Sequence, residues 1–102
     1  MKLHKLKTWF RFYNDVITAR KNFEVRKDDR EFKVGDIILH QFWDEDLEKY
    51  TGKEYSQLIT YYLEGGKFGI EEGYCVLGVT PCYLSSGITE EEYANEINPN
   101  KS

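Results

Sequence analysis

Lys21, Glu24 and Arg26 are the residues of this chain whose types and spacing best suit chemistry. Glu24 and Arg26 are two positions apart, so an extended backbone puts both on one face. Lys21 precedes them by one short step. A carboxylate held between two cations stays ionised. It can orient Arg26 to clamp a phosphate, or accept the amino group of a nucleobase. The same residues would also suit an ion-pair set on a solvated strand face, contributing at most about 1 kcal/mol.

The surroundings sharpen the first reading. Residues 20–35 carry Arg20, Lys21, Arg26, Lys27, Arg30 and Lys33, in a chain of net charge −4. Residues 1–40 are net positive and residues 41–102 net negative, which suggests opposed faces of opposite sign. Lys27, Arg30 and Lys33 bracket a turn and could meet phosphates, although Asp28, Asp29 and Glu31 nearly neutralise them. His4 and Lys7, three positions apart, could line the same cleft. His40 alternates with Leu39 in an apolar run and reads as structural. Tyr74 opens a later apolar run and could present its hydroxyl to the cleft. Trp9 and Trp43 read as core residues, since most aromatics of a small domain are buried.

The elements that must position these groups can be read in outline. The 102 residues make one domain, with sixteen Phe, Tyr and Trp to fill its core. Residues 8–19 read as a helix capped by Thr8, with Phe12, Val16 and Ala19 at helical spacing. Residues 22–26 alternate, with Phe23 and Val25 on one side and Asn22, Glu24 and Arg26 on the other. The ionisable side is expected to face a concavity. Residues 37–43 are the strongest strand, and residues 44–49 a polar crossing or short helix. A strand from about 53 to 63, a glycine-bearing loop at 64–69 and an apolar strand at 74–80 follow. Pro81 stops the last of these. Thr89-Glu90-Glu91-Glu92 resembles a capping box that starts a short helix, and residues 99–102 read as frayed. The organisation expected is a domain over 1–80 and a C-terminal extension over 81–102. The fold class expected is α+β, mainly β: a small, largely antiparallel barrel of about five strands with an N-terminal helix packed against it.

Composition excludes several classes. No apolar run is long enough for a membrane span, and the N-terminal residues lack the apolar stretch of a secretory signal. Cys75 and Cys82 make a weak framework in which a disulfide is possible but not favoured, and no metal-ligand pattern or cofactor motif is present. A reducing, cytoplasmic setting is expected.

Taken in order, His4-x-Leu6-Lys7, then Lys21-x-Phe23-Glu24-Val25-Arg26-Lys27-x-Asp29-Arg30-x-Phe32-x-Val34-Gly35-Asp36, then Trp43, Tyr50-Thr51-Gly52-Lys53 and Gly73-Tyr74-x-Val76-Leu77-Gly78 resemble the DUF3850 family, within the wider ASCH/PUA-like superfamily. The resemblance spans residues 4–80. It implies a PUA-like pseudo-barrel and RNA binding in a cleft beside the first helix. Some small bacterial ASCH proteins, to which the chain is also similar, remove the acetyl group of N4-acetylcytidine with a lysine, a threonine and a later glutamate. Here Lys21 and Arg26 match that segment, Glu24 stands at the threonine position, and Glu71 and Glu72 lie in the region of the later glutamate. The chain further departs from its family at Phe10, where proline is usual, and at Ala19, where glycine is usual.

Two functions follow as expectations. The first is an RNA- or nucleotide-binding domain, with His4, Lys7, Lys21, Glu24, Arg26, Lys27 and Tyr74 at the ligand. The second is an amidohydrolase for an acylated nucleobase, with Lys21 and Glu24 catalytic. A protein-interaction module using the acidic C-terminal half is a third. The sequence leaves the oligomeric state open.

Overall fold

The computed structural model describes residues 1–82. Within them five strands form one sheet: β1 (Leu3–Trp9), β2 (Phe23–Lys27), β3 (Ile37–Asp44), β4 (Lys49–Glu64) and β5 (Tyr74–Pro81). Their spatial order is β1-β3-β4-β5-β2. β1 runs parallel to β3, and the other three pairings are antiparallel. A 3-10 turn (Phe10–Phe12) and the short helix α1 (Tyr13–Ile17) join β1 to β2. The fold is α+β and mainly β, a curled half-barrel with one short helix near its N-terminal strand.

The helix expected over 8–19 is therefore mostly replaced. Thr8 is no helix cap but lies in β1, and α1 is five residues long. β1 escapes a hydrophobicity reading because its buried positions are His4, Leu6 and Thr8, two of them polar. What selects the strand is its ladder to β3, seven paired residues from Leu3–Ile37 to Trp9–Trp43. The helix stops at Ala19, which adopts a left-handed φ of 61°. That conformation costs a non-glycine residue about 1–2 kcal/mol. The stretch expected as a crossing at 44–49 is a tight hairpin turn, where Asp44 Oδ1 accepts from the backbone N–H of Asp46 and Leu47.

Residues directly opposite one another in paired strands share a face. Following the register across the sheet identifies one concave face. Leu6 pairs with His40, Ile38 with Gln57, Ile59 with Val79, Leu77 with Glu24, and Cys75 with Arg26. The apolar core, built on Leu6, Ile38, Ile59, Leu77 and Val79, lies on this face together with polar side chains. A register shift between Ile59 and Tyr61 adds one residue to β4, so that Ile59 and Tyr62 both turn inward. Asp36 pins the N-terminal strand. Its buried carboxylate accepts from the backbone N–H of Lys2 and Lys33 and from His4 Nε2.

The helix expected near Thr89 and the frayed end at 99–102 lie outside the described residues. Among the described residues no helix is long and apolar enough to cross a membrane. Cys75 is buried and is a free thiol.

Candidate functional site

β1 and β2 are the two edges of the sheet, and the curl brings them face to face. Two arginines bridge the gap. Arg26 Nη1 donates to the Lys7 carbonyl at 3.0 Å, and Arg30 Nη1 to the Lys5 carbonyl at 2.9 Å. Between the edges lies a concavity of about 350 Å³, lined by residues 7–9 of β1, residues 23–26 of β2, Phe12 and Lys21. Its floor is polar and its walls are aromatic or aliphatic.

The floor follows from the register of β2. Because Glu24 sits opposite Leu77 and Arg26 opposite Cys75, both must point to the core face. Glu24 is only 3% exposed, while its neighbours Phe23 and Val25 are 47% and 55% exposed. The strand is thus inverted relative to an ordinary half-buried strand, with its charges inward and its apolar side chains outward. A carboxylate this buried must be paired, and Glu24 is. Lys21 Nζ donates to Oε2 at 2.6 Å, and Arg26 donates to Oε1 through Nε at 3.2 Å and Nη2 at 3.0 Å. The alternative of an ion pair on a solvated strand face is thereby replaced by a buried cluster.

A count of donors shows what this cluster still offers. Lys21 has three N–H bonds. One goes to Glu24 and one to the Phe23 carbonyl at 2.9 Å. Arg26 has five. Two meet Glu24, one meets Thr8 Oγ1 at 2.9 Å and one the Lys7 carbonyl. Each cation keeps one hydrogen for a guest. Glu24 Oε2 takes a single hydrogen bond and can accept another.

Trp9 stands on the rim, 47% exposed, and is no core residue as its type suggested. Its ring stacks nearly parallel to Phe12, with centroids 6.5 Å apart, and the Arg11 guanidinium lies 4.9 Å from its centroid. The reason is position: Trp9 shares the outward face of β1 with Lys5 and Lys7. Trp43 is half-buried, with the Lys7 ammonium 3.9 Å over its ring.

The remaining candidate residues are dispersed. His4 is buried against Phe32 and bonded to Asp36, away from the concavity. Lys27 and Tyr74 face each other in the β2–β5 ladder, both exposed, and neither lines the concavity. Near them Tyr62 donates to Asp28, which pushes the Tyr62 phenol up to about 12. Burial raises the Cys75 thiol to about 11, so it is inert. Glu71 and Glu72 belong to the exposed β4–β5 loop.

Sequence reasoning missed Thr8 on the floor and its bond to His40 beneath it. Thr8 continues the inward alternation of His4 and Leu6, and that parity was the available signal. His40 is fully buried as a structural reading requires, but it is bonded to Thr8 and Gln57 rather than to backbone. Burial lowers its pKa, opposed by the charge of Glu24 and the bond to Gln57. Among the described residues no three His, Cys, Asp or Glu side chains are grouped to hold a metal ion.

Comparison with known families places the chain. Residues 3–79, about three-quarters of it, match the family described as domain of unknown function DUF3850, and the chain belongs to that family. No curated protein matches it.

Proposed function

We propose that this DUF3850 protein binds single-stranded RNA or a nucleotide in the concavity between β1 and β2. The observation that carries the reading is the combination of an aromatic rim, Trp9, Phe12 and Phe23, with a charged floor that retains one acceptor and two donors. A nucleobase has both features, a π face for stacking and an edge of donors and acceptors. Lys7 on the rim would meet phosphate. The resemblance to ASCH and PUA-like domains, which are associated with RNA, points the same way.

The geometry favours binding over attack by Lys21. A lysine that donates to a carboxylate at 2.6 Å and to a carbonyl at 2.9 Å is held as an ammonium, not a free amine.

The test is titration of the full chain with labelled hexauridylate and hexacytidylate at several salt concentrations. Trp9→Ala should weaken binding roughly 5- to 150-fold, the equivalent of about 1–3 kcal/mol for one stack. Trp9 is half-exposed, so the thermal midpoint should change little. Two phosphate contacts would give a slope of log affinity on log salt of about −1.4. Binding that ignores both salt and Trp9 would overturn the proposal.

A further inference from the structure

Beneath the concavity lies a polar chain that ligand binding does not require. Thr8 Oγ1 is 2.7 Å from His40 Nδ1, and His40 Nε2 is 2.7 Å from Gln57 Oε1. All three side chains are buried, yet Thr8 also lines the concavity. The direction of the hydrogens follows from the partners. The Gln57 oxygen can only accept, so Nε2 carries the ring hydrogen and Nδ1 the lone pair. Thr8 therefore donates to His40 and accepts from Arg26. The opposite orientation of the Gln57 amide would leave the Thr8 hydroxyl hydrogen with no acceptor among the described residues. Gln57 Nε2 has no partner there, a cost the fold bears while the oxygen fixes the ring.

A hydroxyl bonded to an imidazole, which is in turn oriented by a third group, is the arrangement of an activated nucleophile. We propose that Thr8 is a nucleophile toward carboxylic esters, with His40 as its base and Gln57 as the residue that positions the ring. The Thr8 oxygen forms a bond to the ester carbonyl carbon, and its proton passes to His40 Nδ1. The carbonyl π pair moves to oxygen, where the free hydrogens of Lys21 and Arg26 meet the negative charge. The C–O bond to the leaving group breaks, and a phenolate departs unprotonated into the concavity while the proton stays on the buried His40. Water entering the concavity then attacks the acyl-Thr8 carbonyl and loses its proton to solvent, and the Thr8 oxygen leaves by taking its proton back from His40. The substrate class is an ester with a planar group that fits between Trp9 and Phe23. Burial keeps His40 neutral near pH 7, as a base must be. The activity needs the concavity to be open to a guest but does not need that guest to be a nucleotide.

The probe is p-nitrophenyl acetate, with nitrophenolate release followed by absorbance and the acetyl group located by peptide mapping. Hydroxylamine distinguishes an ester on Thr8 from amides on lysines. The expected result is a hydroxylamine-labile acetyl group on Thr8, absent in Thr8→Val and kept in Thr8→Ser. His40→Asn should slow its formation at least about 100-fold. Gln57→Leu should move the midpoint of the acylation pH profile downward, because the Gln57 bond raises the His40 pKa. A wild-type map with acetyl only on lysine or histidine overturns the proposal, whether or not any variant folds. So does equal nitrophenolate release by a folded Thr8→Val. The RNA titration of the wild-type chain separates this failure from failure of the binding reading: RNA binding without a Thr8 acetyl overturns the esterase proposal alone.

Discussion

Glu24→Ala is the perturbation with the largest consequence. It removes the carboxylate that compensates Lys21 and Arg26, whose side chains are only 18% and 21% exposed. Three charge-assisted hydrogen bonds are lost, and two poorly solvated cations remain side by side. Breaking a buried pair in this way costs about 3–5 kcal/mol. Domains of this size are stable by roughly 5–15 kcal/mol, so the loss is a large fraction of the whole. At about 4–8 °C per kcal/mol, the thermal midpoint should fall by roughly 12–40 °C. Glu24→Gln keeps the shape but offers one acceptor oxygen for three donors. It should cost about 1.5–3 kcal/mol. Urea melts of both variants, beside Glu31→Ala as an exposed control, give the comparison. Glu31 lies 3.9 Å from Lys2 with a side chain 83% exposed, so its removal should stay within about 0.5 kcal/mol. If Glu24→Ala and Glu31→Ala melt together, Glu24 is solvated and the buried cluster is wrong.

Two further outcomes follow from strain and titration. Ala19→Gly should stabilise the protein by about 0.5–1 kcal/mol, because glycine holds a φ of 61° without the left-handed penalty, less the greater freedom it loses on folding; differential scanning calorimetry would read it, and a lower midpoint would refute it. Stability should also fall as pH drops below about 6.5, the ordinary histidine value. The folded pKa of His40 is depressed, so the unfolded chain binds the extra proton first. Stability from this group is complete above 6.5 and is lost as pH falls toward the lower folded value, at up to about 1.4 kcal/mol per pH unit. Urea melts across that range should show the limb in wild type and lose it in His40→Gln; an unchanged limb would assign it to other groups.

Much of the sheet was legible because apolar runs announce themselves. Ile37–Asp44 and Tyr74–Pro81 stand out by β-branched content, and the alternation of Phe23–Lys27 fixed which side chains share a face. What the alternation could not say is which face turns inward. Hydrophobicity alone would bury Phe23 and Val25, and the fold buries Glu24. The decision is made by the pairing of β2 with β5, a contact across about fifty positions of chain. β1 was illegible for a related reason. Its inward residues are His4, Leu6 and Thr8, and only their partners Asp36, the core and His40 make them suitable for burial. Misreading β1 as the lead into a helix also hid Thr8 from the site and sent Trp9 to the core.

The inversion of β2 and the open seam of the sheet have one physical cause. A half-barrel leaves two edges, and each edge carries backbone groups that need partners or water. Here the outward carbonyls of β1 at Lys5 and Lys7 are met by guanidinium groups that reach across from Arg30 and Arg26. A guanidinium drawn into the seam brings charge below the surface, and that charge needs a buried carboxylate beside it. Glu24 supplies it from two positions earlier on the same strand face. With Glu24 inward, Phe23 and Val25 must turn out, and they become a wall of the concavity instead of core. Arg26 thus closes the edge, neutralises Glu24 and holds the Thr8 hydroxyl through separate hydrogens of one rigid group. A lysine, with three donors and no fork, cannot make the four hydrogen bonds that these tasks use here. The polar floor is for this reason not an addition to a finished barrel. It is the means by which, among the described residues, the two edges of this half-barrel are joined.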